Sequence, residues 1–270
     1  MVRESVVTTP AGRTRLLESG AGWPVVLLHA FPLSAEMWRP QLEVVPDGWW
    51  YLAPDLRGFG PRGGDVPVTG RTSVDDLADD VLAVLDAKEI ERATIGGLSM
   101  GGYVTFALFR RARERFERLV LADTRATADT PAGRDGRRAL IERLRASGPP
   151  AVADEMVPKL LGDTTQRERP EIATRVRELI ERNAAAGLAG GLEALMDRPD
   201  STPDLARISQ PTLILVGDED RLTPRADAEE MQRHLARSRL VVLPGAGHLS
   251  SLETPGAFSQ ALADFLSSNL

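Results

Sequence analysis

A serine hemmed in by small residues, Gly96-Gly97-Leu98-Ser99-Met100-Gly101-Gly102, limits the backbone more than any other stretch of this 270-residue chain. The pattern G-x-S-x-G runs from Gly97 to Gly101. A strand-to-helix turn tight enough to lift a serine hydroxyl clear of its sheet leaves no room for larger neighbours. With 24 glycines in the chain, the pattern arises by chance at about 0.1 per sequence of this composition, so its flanks must carry the argument. Ala93-Thr94-Ile95 before it reads as a short buried strand. Tyr103-Val104-Thr105-Phe106-Ala107-Leu108-Phe109 after it reads as a buried helix. Strand, turn and helix in that order present the serine as a nucleophile.

A serine hydroxyl needs a base within hydrogen-bond reach, and the chain has three histidines. His29 ends the apolar run Val25-Val26-Leu27-Leu28 and belongs to a strand terminus. His234 lies in a charged helical pattern and reads as a solvated surface residue. His248 lies in the Gly-rich loop Pro244-Gly245-Ala246-Gly247, directly after the strand-like Leu240-Val241-Val242-Leu243. A loop in that place can carry an imidazole over a neighbouring strand's serine, so His248 is the expected base. The third member accepts the other ring N–H. Asp218, Glu219 and Asp220 follow the apolar run Thr212-Leu213-Ile214-Leu215-Val216. Asp220, three residues past Gly217, is the first choice and Asp218 the second. Asp123, after Leu119-Val120-Leu121-Ala122, is the third. Asp218 and Glu219 read best as solvated loop carboxylates.

Strand-like runs recur at 25–29, 50–53, 93–96, 119–122, 212–217 and 240–243, with helical patterns between many of them. That alternation predicts an α/β fold with a mostly parallel, twisted sheet flanked by helices. Segments 5–9 and 13–18 read as an antiparallel hairpin around Pro10-Ala11-Gly12. Val74, Leu77, Ala78, Val81, Leu82 and Leu85 describe one helical face, with Ser73 as N-cap. Thr223-Pro224 and Thr254-Pro255 each read as a cap followed by proline at the first helical position. Residues 125–205 break the rhythm: they contain several prolines, are rich in Arg, Ala and Glu, and lack a convincing strand. We read them as a helical cap inserted into a core of 1–124 and 206–270 and covering the serine. Helices packed to one side are the alternative.

Composition excludes several classes. A hydrophobic share of 42% with 27% charged residues is that of an ordinary globular domain. A net charge of −6 argues against nucleic acid and anionic membrane as partners. With no cysteine there is no disulfide, thiol nucleophile or thiolate metal site, and three scattered histidines do not make a metal centre. No cofactor or metal is expected. No run approaches the ~20 apolar residues of a membrane span, and residues 1–10 lack the apolar stretch of a signal peptide. A cytoplasmic monomer or small homo-oligomer is expected.

The stretches Val26–Pro32, Ala53–Gly60, Gly97–Gly102, Gly217–Asp220 and Gly247-His248, with the order Ser99, Asp220, His248, resemble an α/β-hydrolase over nearly the whole chain. The resemblance is strongest to the small carboxylesterase and 3-oxoadipate enol-lactonase branch, which also includes pimeloyl-ester esterases. It implies an oxyanion hole from the backbone N–H groups of Phe31 and Met100, with alanine at position 30 where the family pattern has glycine. It also implies that His29 braces the oxyanion loop. The expected activity is hydrolysis of a carboxylic ester or lactone through an acyl-enzyme on Ser99. His29, Trp38, Met156, Leu160 and Leu192 are candidate substrate contacts; Leu161, Leu188 and Met196 are further cap residues of the same kind. A cationic cap group would suit a carboxylated substrate, but with 31 arginines in the chain no single arginine is diagnostic. Ser99 argues against an epoxide hydrolase or haloalkane dehalogenase, which need a carboxylate at this turn. A cofactor-free perhydrolase or haloperoxidase on the same triad and a non-catalytic ligand-binding protein are the alternatives.

Overall fold

The apolar runs of the sequence become the middle of a single sheet. The computed structural model describes residues 1–61 and 70–268. Its strands are β1 (Arg3–Thr9), β2 (Gly12–Gly20), β3 (Trp23–Leu28), β4 (Trp49–Pro54), β5 (Ala93–Leu98), β6 (Phe116–Ala122), β7 (Thr212–Gly217) and β8 (Ser238–Leu243). They lie in the order β1-β2-β4-β3-β5-β6-β7-β8. β1 and β2 form the expected hairpin, and β2 joins β4 antiparallel. The remaining pairs are parallel. Every residue of β5 and β7 is buried. Continuous burial without alternation is what a parallel sheet covered on both faces requires.

The α-helices among the described residues are α1 (Arg39–Leu42), α2 (Val74–Ala87), α3 (Met100–Ala112), α4 (Pro131–Ser147), α5 (Pro149–Leu160), α6 (Asp163–Glu168), α7 (Pro170–Glu181), α8 (Ala185–Asp197), α9 (Thr202–Leu205), α10 (Arg225–His234), α11 (Ser250–Glu253) and α12 (Pro255–Leu266). α2 buries the face its spacing predicts, and Ser73 caps it. The Asp76 N–H donates to Ser73 Oγ at 3.1 Å while the Ser73 N–H donates to the Asp76 carboxylate at 2.8 Å. Thr254 precedes α12 with Pro255 as its first residue, but its hydroxyl donates to the Ser250 carbonyl at 3.1 Å and makes no cap bond. The other expected cap also needs correction: α10 starts at Arg225 behind Pro224, and the Thr223 hydroxyl is engaged by Asp220 instead. Between β6 and β7 the chain forms α4 to α9 and no strand.

The topology decides where chemistry can happen. β4 lies on one side of β3 and β5 on the other, so the strand order reverses at β3. In open α/β sheets the crevice beyond the carboxyl ends of the strands at such a reversal is the ligand site. The loops after β3 and β5 meet there, with Leu28 in register with Gly97.

Close approach of backbone explains the glycines around Ser99. A Cβ on Gly101 would stand 2.1 Å from the Leu28 carbonyl oxygen and 3.0 Å from Leu28 Cβ. α3 therefore rests directly on the end of β3, and no side chain can yield to make space. Gly101→Ala is expected to lower stability by about 3 kcal/mol through forced separation of α3 from β3, read as a lower urea midpoint with an unchanged slope.

Candidate active site

Ser99 stands between the last residue of β5 and the first of α3 with φ +54° and ψ −111°, a conformation that a residue with a side chain keeps only under constraint. Hydrogen bonds supply the constraint. The Ser99 N–H donates to the Ala122 carbonyl at 2.9 Å. Its own carbonyl accepts from the Gly102 N–H at 2.9 Å and from the Thr124 hydroxyl at 2.9 Å. Met100 opens α3, and first-turn N–H groups have no acceptor inside their helix. Phe31, on the loop after β3, lines the same cavity as Ser99.

The loop after β7 holds Asp220 with four donors. The Leu222 and Thr223 N–H groups reach Oδ1 at 2.8 and 3.0 Å. The Thr223 hydroxyl reaches Oδ2 at 2.6 Å, and His248 Nδ1 donates to Oδ2 at 2.8 Å. With Nδ1 as donor, Nε2 keeps its lone pair and can accept a proton. Burial works to raise the Asp220 carboxyl, but His248 and the Thr223 donors outweigh it and hold the group below its usual range. The pair is almost wholly out of solvent. The His248 N–H donates to the Leu160 carbonyl at 3.1 Å, so the end of α5 bears on the histidine loop.

The other carboxylates are committed elsewhere. Asp218 accepts from the Gly245 N–H at 2.7 Å and is exposed. Glu219 accepts the Thr164 N–H at 2.8 Å and the Thr164 hydroxyl. Asp123 accepts the Gly217 N–H at 2.9 Å and the Ser250 hydroxyl, which joins the ends of β6 and β7 to α11. Burial, with Asp220 nearby, pushes the Asp123 carboxyl well above the ordinary range. Glu253, fully buried, accepts the Leu249 N–H at 3.0 Å and the Gly162 N–H at 2.8 Å.

Ser99 and His248 line one cavity of about 260 Å³. The expected contacts Met156, Leu160 and Leu192 line it too, together with Tyr103, Arg125, Thr223 and residues of α4. Two expected substrate contacts are corrected. Trp38 is fully buried in a short 3-10 turn against Phe258, ring centroids 5.7 Å apart. His29 is also fully buried: its Nε2 accepts the Leu56 N–H at 3.0 Å and its Nδ1 donates to the Ala30 carbonyl at 3.0 Å. Leu161, Leu188 and Met196 pack in the hydrophobic core and do not line the cavity. Sequence reasoning missed the part of Thr223, whose position three residues after Asp220 is the available signal, and that of Glu253, which had none. Among the described residues no group of three or more metal-ligating side chains is placed to hold a metal ion.

Residues 24–255 match the family model described as alpha/beta hydrolase fold. The chain belongs to that family. Among its curated relatives is 3-oxoadipate enol-lactonase 2 of Acinetobacter baylyi, 31% identical over 88% of this chain and 86% of the relative. Among solved structures, a thermophilic esterase from Thermogutta terrifontis with malate bound is 39% identical, covers 98% of each chain and superposes with a TM-score of 0.91. The enol-lactonase of Burkholderia xenovorans LB400 is 27% identical with a TM-score of 0.89, covering 98% of this chain and 100% of its own. The α/β-hydrolase fold read from the sequence is therefore the fold of this chain.

His29 also gives this hydrolase a pH signature. Burial lowers its pKa from 6.5 to about 4, so below pH 6.5 the unfolded chain takes a proton that the folded one refuses. Stability from this group falls as the pH drops from 6.5 to 4, by about 3 kcal/mol in all. Asp55, raised by burial to about 6, works in the opposite sense. The comparison of wild type with His29→Gln isolates the histidine. The variant is expected to be less stable at pH 7, and denaturant titrations should show the gap narrowing steadily towards pH 4.

Proposed function

We propose that this hydrolase cleaves a carboxylic ester or lactone by forming an acyl-enzyme on Ser99. The observation that carries the reading is the 2.8 Å hydrogen bond from His248 Nδ1 to Asp220, with His248 and Ser99 on the wall of one cavity. In this mechanism Ser99 Oγ attacks the substrate carbonyl while His248 Nε2 takes its proton. Asp220 holds the ring and stabilises the imidazolium. The N–H groups of Phe31 and Met100 stabilise the tetrahedral oxyanion, each worth ~3 kcal/mol of barrier. His248 then protonates the leaving alkoxide, and water releases the acid by the same route. No cofactor takes part.

The helices between β6 and β7 act as a cap over the serine in this reading, since residues of α4, α5 and α8 line the cavity. A volume of about 260 Å³ lies at the low end for ligand sites and favours a small acyl group. The enol-lactonase and esterase relatives support the same reaction class. We place the enzyme in the cytoplasm; no helix among the described residues is long and apolar enough to cross a membrane.

A fluorophosphonate probe separates a hydrolase from a ligand-binding protein: a stoichiometric adduct on Ser99 is expected, and folded protein without one refutes the reading. Against p-nitrophenyl esters of increasing acyl length and a set of lactones, turnover should peak at short chains. Ser99→Ala should cut kcat by about 10⁶-fold and Asp220→Asn by about 10⁴-fold. Near-wild-type turnover in Asp220→Asn would hand the acid's role to Asp123.

A further inference from the structure

The loop after β3 is pinned on both sides of Phe31. On one side His29 Nε2 accepts the Leu56 N–H at 3.0 Å, from the loop after β4. On the other side the Pro32 carbonyl accepts from Asn183 Nδ2 at 2.9 Å. Asn183 lies in the short link between α7 and α8 and is buried. Its Nδ2 also donates to the Leu179 carbonyl at 3.0 Å, and its Oδ1 accepts the Gly60 N–H at 2.8 Å. Carbonyls around one end of the amide and an N–H at the other fix which way it points. One buried side chain thus joins the helices between β6 and β7 to the loops after β3 and β4.

Packing around this amide is close. A Cβ on Gly187 would stand 1.7 Å from the Gly58 carbonyl oxygen, and one on Gly191 would stand 3.0 Å from Phe31 Cδ2. α8 therefore lies against the Phe31 ring and the turn at Gly58. Phe59 meets the same ring edge-on, with centroids 6.3 Å apart. Ring contacts resist sideways displacement but leave the backbone free to turn. A directed hydrogen bond at the next carbonyl along the chain restrains that turn. Aim matters here, because an oxyanion donor works only within hydrogen-bond distance of the developing charge.

We propose that Asn183 is a positioning residue for the oxyanion hole: its amide holds the Pro32 carbonyl and so keeps the Phe31 N–H aimed at the oxyanion. The inference rests on the hydrolase reading above, in which Phe31 supplies one of the two donors. Through this side chain the helices between β6 and β7 take part in the chemical step.

With p-nitrophenyl butyrate, Asn183→Ala should lower kcat by about 10²-fold and change KM by less than about threefold. A trifluoromethyl ketone of matching chain length takes Ser99 Oγ at its carbonyl and leaves a hemiketal oxyanion. Its Ki should rise by the factor by which kcat/KM falls. The acid limb of the kcat/KM profile against pH should stay in place, because the bond from His248 to Asp220 is untouched. Asn183→Asp keeps the shape and the acceptor for Gly60 but offers Pro32 no donor. It should lose kcat in the same way, and it carries the test if Asn183→Ala does not fold. Wild-type kcat in either folded variant overturns the proposal, as does a lower urea midpoint without the matched change in Ki, or a shifted acid limb. A wild-type protein that turns over no ester refutes the hydrolase reading instead, so the two failures are distinguishable.

Discussion

A side chain at φ +54° stays there only if its surroundings leave no other choice, and the rest of this structure follows from that demand at Ser99. Gly97 and Gly101 let β5, β3 and α3 close to backbone contact. The Ala122 carbonyl and the Thr124 hydroxyl, both from the end of β6, then hold the turn from the opposite side. The position of Ser99 is thus fixed by three neighbouring elements, independently of any contact with His248. Only after this turn is built does it matter where the loops after β7 and β8 lead.

Burial alone does not tell the carboxylates of the site apart; their partners do. Asp220, Asp123 and Glu253 are all buried. Asp220 is surrounded by donors and kept ionised beside an imidazole. Asp123, close to that negative charge, is driven towards its neutral form and ties strand ends together. Glu253 spends both oxygens on backbone N–H groups. One functional group, the carboxylate, thus serves as an electrostatic partner, a clamp and a backbone acceptor within a few loops.

Most of the sheet was legible because its strands are continuous apolar runs bounded by turn residues, and parallel strands buried on both faces leave that trace. The helix at Val74 was equally plain, since its period and its cap agree. What escaped was decided by tertiary contact. Thr223 looks like a helix cap in one dimension, yet the helix begins later and the hydroxyl turns to Asp220. Trp38 looks like a wall for a ligand until the chain folds and Phe258, more than two hundred residues away, covers it. In α5 and α8 nothing in helical spacing separates Leu160 and Leu192, which line the cavity, from Leu188, which does not.

The anchorage of α5 has a mechanical consequence. The Leu160 carbonyl holds the backbone of His248, and the Gly162 N–H holds Glu253, which in turn holds Leu249. This corner of the helices between β6 and β7 is therefore tethered to the same short loop that carries His248. An outward swing about this side would pull on the backbone of the loop that holds His248 against Asp220. Motion at the α5 end of the insertion is thus geared to the loop that carries His248.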